Sequence, residues 1–215
     1  MRRIAIGDVH GCLNELEELL EHEIHLNRED EIYLLGDIIS KGENSSGTLD
    51  YILEKRAEGF NIQAIIGNHE YKFLTLFYHD FPMLEEYVES YKCSDLLTEN
   101  TEEYLIFLSS LPFYYDLGDW LLLHSEIVFG QPPGNRDLRA MFGGEVLASL
   151  LASPKVETRR QAHGHLARSW QDIEADAHGK ARSIGLDGGC VYGDFGYLVG
   201  LNLDDWTLYS VDRFP

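Results

Sequence analysis

Short apolar runs punctuate the chain at 2–6 (RRIAI), 31–36 (EIYLLG), 61–66 (NIQAII), 119–123 (DWLLL), 183–187 and 197–201. Each is bounded by Gly, Asp or Asn, the pattern of short buried strands. Between the first three the period changes. Leu13, Leu16, Leu19, Leu20 and Ile24 recur at helical spacing after Gly11, and Leu49, Ile52, Leu53 and Ala57 do so after the cap candidates Ser45 and Ser46. The alternation is βαβαβ, which predicts a sheet with helices packed on its faces. From Tyr71 to Leu111 the chain is rich in Leu, Tyr, Phe and Glu and lacks strand alternation, so two or three helices are expected there as an insertion over the sheet, with their aromatics in the core. From Ser183 onward, closely spaced runs and Gly-rich turns predict an antiparallel meander.

Composition narrows the class. The 215 residues are 44% hydrophobic and 25% charged, which predicts one soluble domain over 1–215 with a single sizeable core. Seventeen basic against thirty-seven acidic residues leave a net charge of −20. That balance repels duplex nucleic acid and anionic membranes, and no local basic patch offsets it, so neither is expected as a partner. Cys12, Cys93 and Cys190 are far apart and form no CxxC pair, which suits a reducing compartment and disfavours a thiolate zinc site. MRRIAIGDVHG holds an apolar run too short for a signal peptide, and no run approaches the ~20 residues of a membrane span, so a cytoplasmic location is expected.

Five runs end in residues able to bind a metal. IAIGDVH supplies Asp8 and His10, YLLGD supplies Asp37, AIIGNHE supplies Asn68 and His69, WLLLH supplies His124, and RRQAHGH supplies His163 and His165. In sheets with helical crossovers, sites form at the carboxyl ends of strands, so the five ends are expected to converge. Imidazole nitrogens with carboxylate and amide oxygens suit manganese, iron or zinc. Six or more candidates exceed one tetrahedral site, which argues for two ions with a carboxylate between them, Asp37 being the candidate bridge.

GDVHG at 7–11, GD at 36–37, GNHE at 67–70, the isolated His124 and GH at 164–165 occur in an order that resembles the phosphoprotein phosphatase branch of the calcineurin-like metallophosphoesterases. The tail LDGGCVYGDFGYLVGLNL is similar to the closing stretch of bacterial members, which include serine/threonine phosphatases and symmetrical diadenosine tetraphosphatases. The resemblance runs from residue 4 to about 203. It implies a mixed α/β fold, a four-layer αββα sandwich, with two divalent ions, manganese first and iron or zinc as alternatives. Asp8 and His10 would hold the first ion, Asp37 would bridge, and Asn68, His124 and His165 would hold the second. His163 competes with His165 for that role, and the GH pattern favours His165, with His163 orienting a ligand. His69 would protonate the leaving group. The implied reaction is hydrolysis of a phosphomonoester, on a phosphoprotein or a small phosphorylated molecule, by a metal-activated water. A dinucleoside polyphosphate is the alternative substrate.

GDIISKG at 36–42 departs from the family's GDxxDRG. Ser40 stands where an Asp would orient His69, and can accept its hydrogen bond but cannot stabilise an imidazolium as a carboxylate does. Lys41 stands where an Arg would grip phosphate, keeping the charge and losing the bidentate fork. Glu126 adds a carboxylate close after His124, with solvent the first-ranked destination. A further phosphate-binding arginine is expected from Arg136 or Arg139, with Arg168 as a third candidate. Asp187 is read either as a turn residue or as a neighbour of the site. These departures sustain a competing reading from another class, a catalytically impaired metal-binding module that recognises a phosphorylated partner. His22, His25, His79 and His178 lie outside the matching blocks and are read as surface or capping residues.

Overall fold

The computed structural model describes residues 1–127, 158–193 and 196–214. Three parallel strands, β1 (Arg3–Ile6), β2 (Glu31–Leu34) and β3 (Asn61–Ala64), form one half of the first sheet. Between them lie α1 (Leu13–Glu18), extended by a π turn over Leu19–Glu23, and α2 (Ser45–Ala57), whose cap Asn44 accepts from Gly47 N at 2.9 Å. Three helices follow, α3 (Asn68–His79), α4 (Phe81–Ser90) and α5 (Thr101–Ser109), where the sequence predicts two or three.

The second sheet contains β4 (Tyr114–Asp116), β5 (Trp120–Leu123), β6 (Arg160–His163) and β7 (Ser183–Gly185) in that order, with α6 (Trp170–His178) between the last two. β8 (Tyr197–Asn202) and β9 (Leu208–Asp212) return to the first sheet, whose order is β3-β2-β1-β8-β9. This differs from the expected meander. Of the strands described after Ser183, β8 and β9 form an antiparallel hairpin, while β7 lies parallel to β6 in the other sheet, where Ile184 and Leu186 bury between the sheets. β4 (YYD) and β6 (RQAH) escape a search for apolar runs because their sequences are largely polar.

Alternation along the strands sorts the core. Ala5, Tyr33, Val199 and Leu201 of the first sheet meet Trp120, Leu122, Ala162 and Ile184 of the second. Ile4, Ile6, Ile32 and Leu34 point the other way, onto Leu16, Leu20, Leu49, Ile52 and Phe73 of the helices. Burying each such side chain contributes ~1.5–3 kcal/mol. Among the described residues no helix is long and apolar enough to cross a membrane, and the three cysteines are free and buried.

Register positions the chemistry. Ile6 pairs with Leu34 and Leu34 with Ala64, so the three parallel strands of the first sheet end level. Leu123 pairs with His163 and His163 with Gly185, so those of the second also end level.

Candidate metal centre

The loops that leave these level ends carry the predicted donors to one place. Asp37 is the hub: its Oδ2 lies 3.6 Å from His10 Nε2, and its Oδ1 lies 3.5 Å from His124 Nε2. On the first side, Asp8 Oδ2 is 3.9 Å from His10 Nε2. On the other, Asn68 Oδ1 is 3.0 Å from His124 Nε2 and 2.9 Å from His165 Nδ1. Ligand-capable atoms of Asp37, His124 and His165 fall within 4.8 Å of one another, and so do those of His10, Asp37 and His69.

Backbone carbonyls fix the rings. His10 Nδ1 donates to Ile39 O at 3.1 Å and His124 Nδ1 donates to Leu35 O at 2.8 Å, so each presents a bare Nε2 inward. Burial holds the imidazoles neutral, lowering His10 to about 3, a shift the Lys41 charge deepens, and His124 to about 4. Burial pushes the carboxyls the other way. Asp37 is raised to about 7, and Asp8 is raised well above its ordinary range by burial and by the charges of Asp187 and Asp37. Neutral nitrogens and buried carboxylates facing one ammonium, that of Lys41, form a donor set that fits divalent cations.

Backbone conformation is unusual at these positions. His10, Asp37 and His165 have φ of 51°, 49° and 76°, left-handed values that non-glycine residues adopt rarely and that cluster at functional sites. The motif glycines answer to close approach. A Cβ on Gly164 would overlap Asp8 Oδ1, and one on Gly36, itself at φ 89°, would come within 2.8 Å of His124 Nδ1.

Two important residues escaped the sequence reading. Glu70 is fully buried, and its carboxylate accepts from Gly67 N (2.7 Å), Asp37 N (2.9 Å), Ile38 N (2.8 Å) and Ile39 N (3.1 Å), tying the Asp37 loop to the start of α3. Its signal was present, an acid at the third position of a helix. Tyr87 had no signal. Its hydroxyl lies 2.8 Å from His69 Nδ1, where Ser40 was expected. Ser40 instead donates to Cys93 Sγ at 3.4 Å and lies 3.4 Å from the Tyr87 hydroxyl, so it reaches His69 only through that tyrosine.

The remaining candidates separate by position. His163 bonds to Gly164 O at 3.2 Å and does not join the donor cluster that contains His165. Lys41 Nζ sits inside the cluster, 2.9 Å from His10 Nε2. Arg168 is paired with Asp176 at 2.5 Å on α6. Glu126 is exposed. Asp187 is buried, its Oδ1 accepts from Gly189 N at 2.8 Å as a turn residue's does, and its charge also acts on Asp8, so the structure supports both readings of it. Arg136 and Arg139 lie outside the described residues. His22, His25, His79 and His178 are exposed.

A sequence model of the calcineurin-like phosphoesterases matches residues 1–169. The chain belongs to that family. A symmetrical bis(5'-nucleosyl)-tetraphosphatase of Vibrio parahaemolyticus is 26% identical over 128 residues, 59% of this chain and 45% of its own length. The enzyme of that name from Psychromonas ingrahamii is 25% identical over 175 residues, 80% of this chain and 60% of its own length. The chain thus matches about half the length of these relatives. Among solved structures, a candidate diadenosine tetraphosphatase superposes with a TM-score of 0.65 at 24% identity, covering 99% of this chain and 94% of the other. A protein serine/threonine phosphatase from Saccharomyces cerevisiae gives 0.58 at 14% identity, covering 100% and 80%. These likenesses show that the fold is that of the family.

Proposed function

We propose that the chain is a metal-dependent phosphohydrolase that cleaves a phosphoester or phosphoanhydride with a water nucleophile and forms no covalent phosphoenzyme. The observation that carries this reading is the shared carboxylate: Asp37 turns one oxygen to His10 and the other to His124, between two donor sets. Divalent ions bound there, with manganese the first candidate, would polarise phosphoryl oxygens and lower the pKa of a water toward ~7. The chain's own groups do the rest. Asp8, His10 and Asp37 would hold one ion, and Asp37, Asn68, His124 and His165 the other. His69 contacts His10 edge to face at 5.0 Å, and with Nδ1 engaged by Tyr87 it keeps Nε2 for the reacting group. Lys41, whose ammonium must leave His10 Nε2 when an ion binds there, would then supply positive charge to the phosphate.

The Tyr87 contact bears on the substrate. A carboxylate behind His69 would stabilise its protonated form, whereas the buried Tyr87 hydroxyl is held un-ionised, its pKa pushed up chiefly by burial. Burial lowers the His69 imidazole as well. With a neutral hydroxyl in place of a carboxylate behind it, acid assistance by His69 is weaker than a carboxylate partner would give. A serine alkoxide leaves poorly without a proton, but a phosphate whose last pKa is ~6 leaves as the anion. Of the two substrate classes, this favours a phosphoanhydride such as the dinucleoside polyphosphates in the relatives' names over phosphoserine.

The test is turnover of p-nitrophenyl phosphate after chelation and reloading with manganese, beside Asp37→Asn. Its aryl leaving group needs little acid help, so metal-dependent turnover that disappears in the variant is expected. A folded, metal-loaded protein that turns over neither this ester nor a dinucleoside polyphosphate would leave the phosphate-recognition module as the correct reading.

A further inference from the structure

Against His69 lies a cavity of about 430 Å³, within the range of small-ligand sites. It is lined by Asn68 and His69 of the cluster, by Tyr71, Tyr87 and Tyr91, and by Lys72. Three features stand together. The cavity touches the residue assigned to the leaving group, so a group departing on the His69 side has this space to occupy. Its walls are aromatic: Tyr91 is 40% exposed, packs on Tyr87 with centroids 4.6 Å apart and tilted 32°, and meets His69 at 5.1 Å. Its charge runs against the molecule. In a chain with twenty more acidic than basic residues, Lys72 is the one formally charged side chain among the described residues lining it, and Glu86 lines the adjoining groove rather than the cavity.

We infer that this cavity is a subsite for a nucleotide, with an aromatic base against Tyr91 and Tyr71 and its phosphate between Lys72 and His69. Calling that nucleotide the leaving group rests on the hydrolytic reading above; the binding itself does not. A tyrosine face accepts a flat ring at small entropic cost, and base stacking on one aromatic side chain is worth about tenfold in affinity or more. Lysine meets a phosphate as a point charge, without demanding one orientation.

Calorimetric titration of the full chain with AMP and with ribose 5-phosphate, which lacks the base, tests the inference. AMP is expected to bind about tenfold tighter. Thr75 also lines the cavity, so Thr75→Trp should fill it and bring the two ligands to within about twofold, as should Tyr91→Ala, whereas Tyr91→Phe should keep the preference. Equal binding of the two ligands to the wild type overturns the proposal, as does a preference that survives both Thr75→Trp and Tyr91→Ala in cooperatively melting protein. Where those variants fail to fold, saturation-transfer NMR on the wild type decides: transfer from tyrosine ring protons to the adenine protons is expected, and its absence overturns the proposal. Turnover of p-nitrophenyl phosphate is scored separately. AMP preference without turnover removes the hydrolytic reading and keeps the subsite, and turnover without AMP preference does the reverse.

Discussion

Glu70→Gln tests whether the Asp37 loop is held by an ionised carboxylate. Four backbone N–H groups converge on Glu70 at 2.7–3.1 Å, and none of its four contacts is an acceptor. Burial and the Asp37 charge nevertheless push its pKa up to about 7. The hydrogen-bond geometry decides between these forces, because a protonated carboxyl would aim its O–H at one of the four donors. In Gln the amide oxygen serves one pair of N–H groups and the NH₂ confronts the other. Two buried donors are orphaned at ~1–3 kcal/mol each, or ~2–6 kcal/mol in all. Removing a buried charge that Asp37 repels offsets part of this, so a net loss of about 2–4 kcal/mol is expected. Urea unfolding of the chelator-treated protein reads that loss directly, and manganese uptake should fall with it, since the loop carries Asp37. A change within ~0.5 kcal/mol would refute the reasoning, because it would mean that Gln already matches the form present in the fold.

Other outcomes follow from single contacts. Tyr87→Phe strips His69 Nδ1 of its partner at 2.8 Å; loss of ~1–3 kcal/mol in positioning should slow alkyl phosphates about tenfold or more and aryl phosphates less, and an equal effect on both would reject the relay. Gly164→Ala drives a Cβ into Asp8 Oδ1, so metal stoichiometry should drop before the melting temperature does; unchanged stoichiometry would count against a ligand role for Asp8. Asp30 is raised by burial but brought below its usual range by Arg2 at 2.6 Å and by Asn27. A depressed carboxyl stabilises the fold above its unfolded pKa, so Asp30→Asn should cost about 2 kcal/mol at neutral pH, and the gap should close below about pH 4; a gap unchanged at pH 3 would refute the pairing.

What was legible in the sequence followed from periodicity and from strand ends. The runs at 2–6, 31–36 and 61–66 became β1, β2 and β3 because their β-branched and aliphatic residues are buried on both faces, and each run ends in the polar residue that the register delivers to the site. The different positions of His163 and His165, of which only the second reaches Asn68 and His124, have a local cause. His163 is the last residue of β6, and the glycine after it lets the backbone pass Asp8 before His165 turns inward. Tyr87 was not legible, because a tyrosine on α4 meets His69 only through the packing of α3 on α4, which no local pattern encodes. The meander failed because period and turn residues mark strands without saying which sheet they join. Ile184 faces the inter-sheet core, and that partner decided the matter.

The two exchanged residues of GDIISKG sit where the fold fixes the backbone independently of their side chains. Ser40 and Lys41 have φ of 76° and 69°, left-handed values that an unconstrained serine or lysine avoids. Ser45 Oγ accepts from Ser40 N at 2.9 Å, Tyr91 O accepts from Lys41 N at 2.5 Å, and Glu70 holds the residues before them. The loop path therefore survives the exchange, and only the chemistry projected from it changes. For Ser40 the change falls on His69. For Lys41 it falls on His10, whose Nε2 faces the ammonium at 2.9 Å. One lone pair cannot serve both an ammonium and a divalent ion, so a cation held by Asp8 and His10 requires Lys41 to swing away. The Tyr192 hydroxyl at 3.4 Å and its ring at 5.7 Å from the same Nζ offer a place for it. On the proposed reading the lysine is a phosphate-seeking charge toward substrate and a competitor toward the metal at His10, so GDIISKG changes the chemistry around Asp37, the proposed bridge, while keeping Asp37 in place.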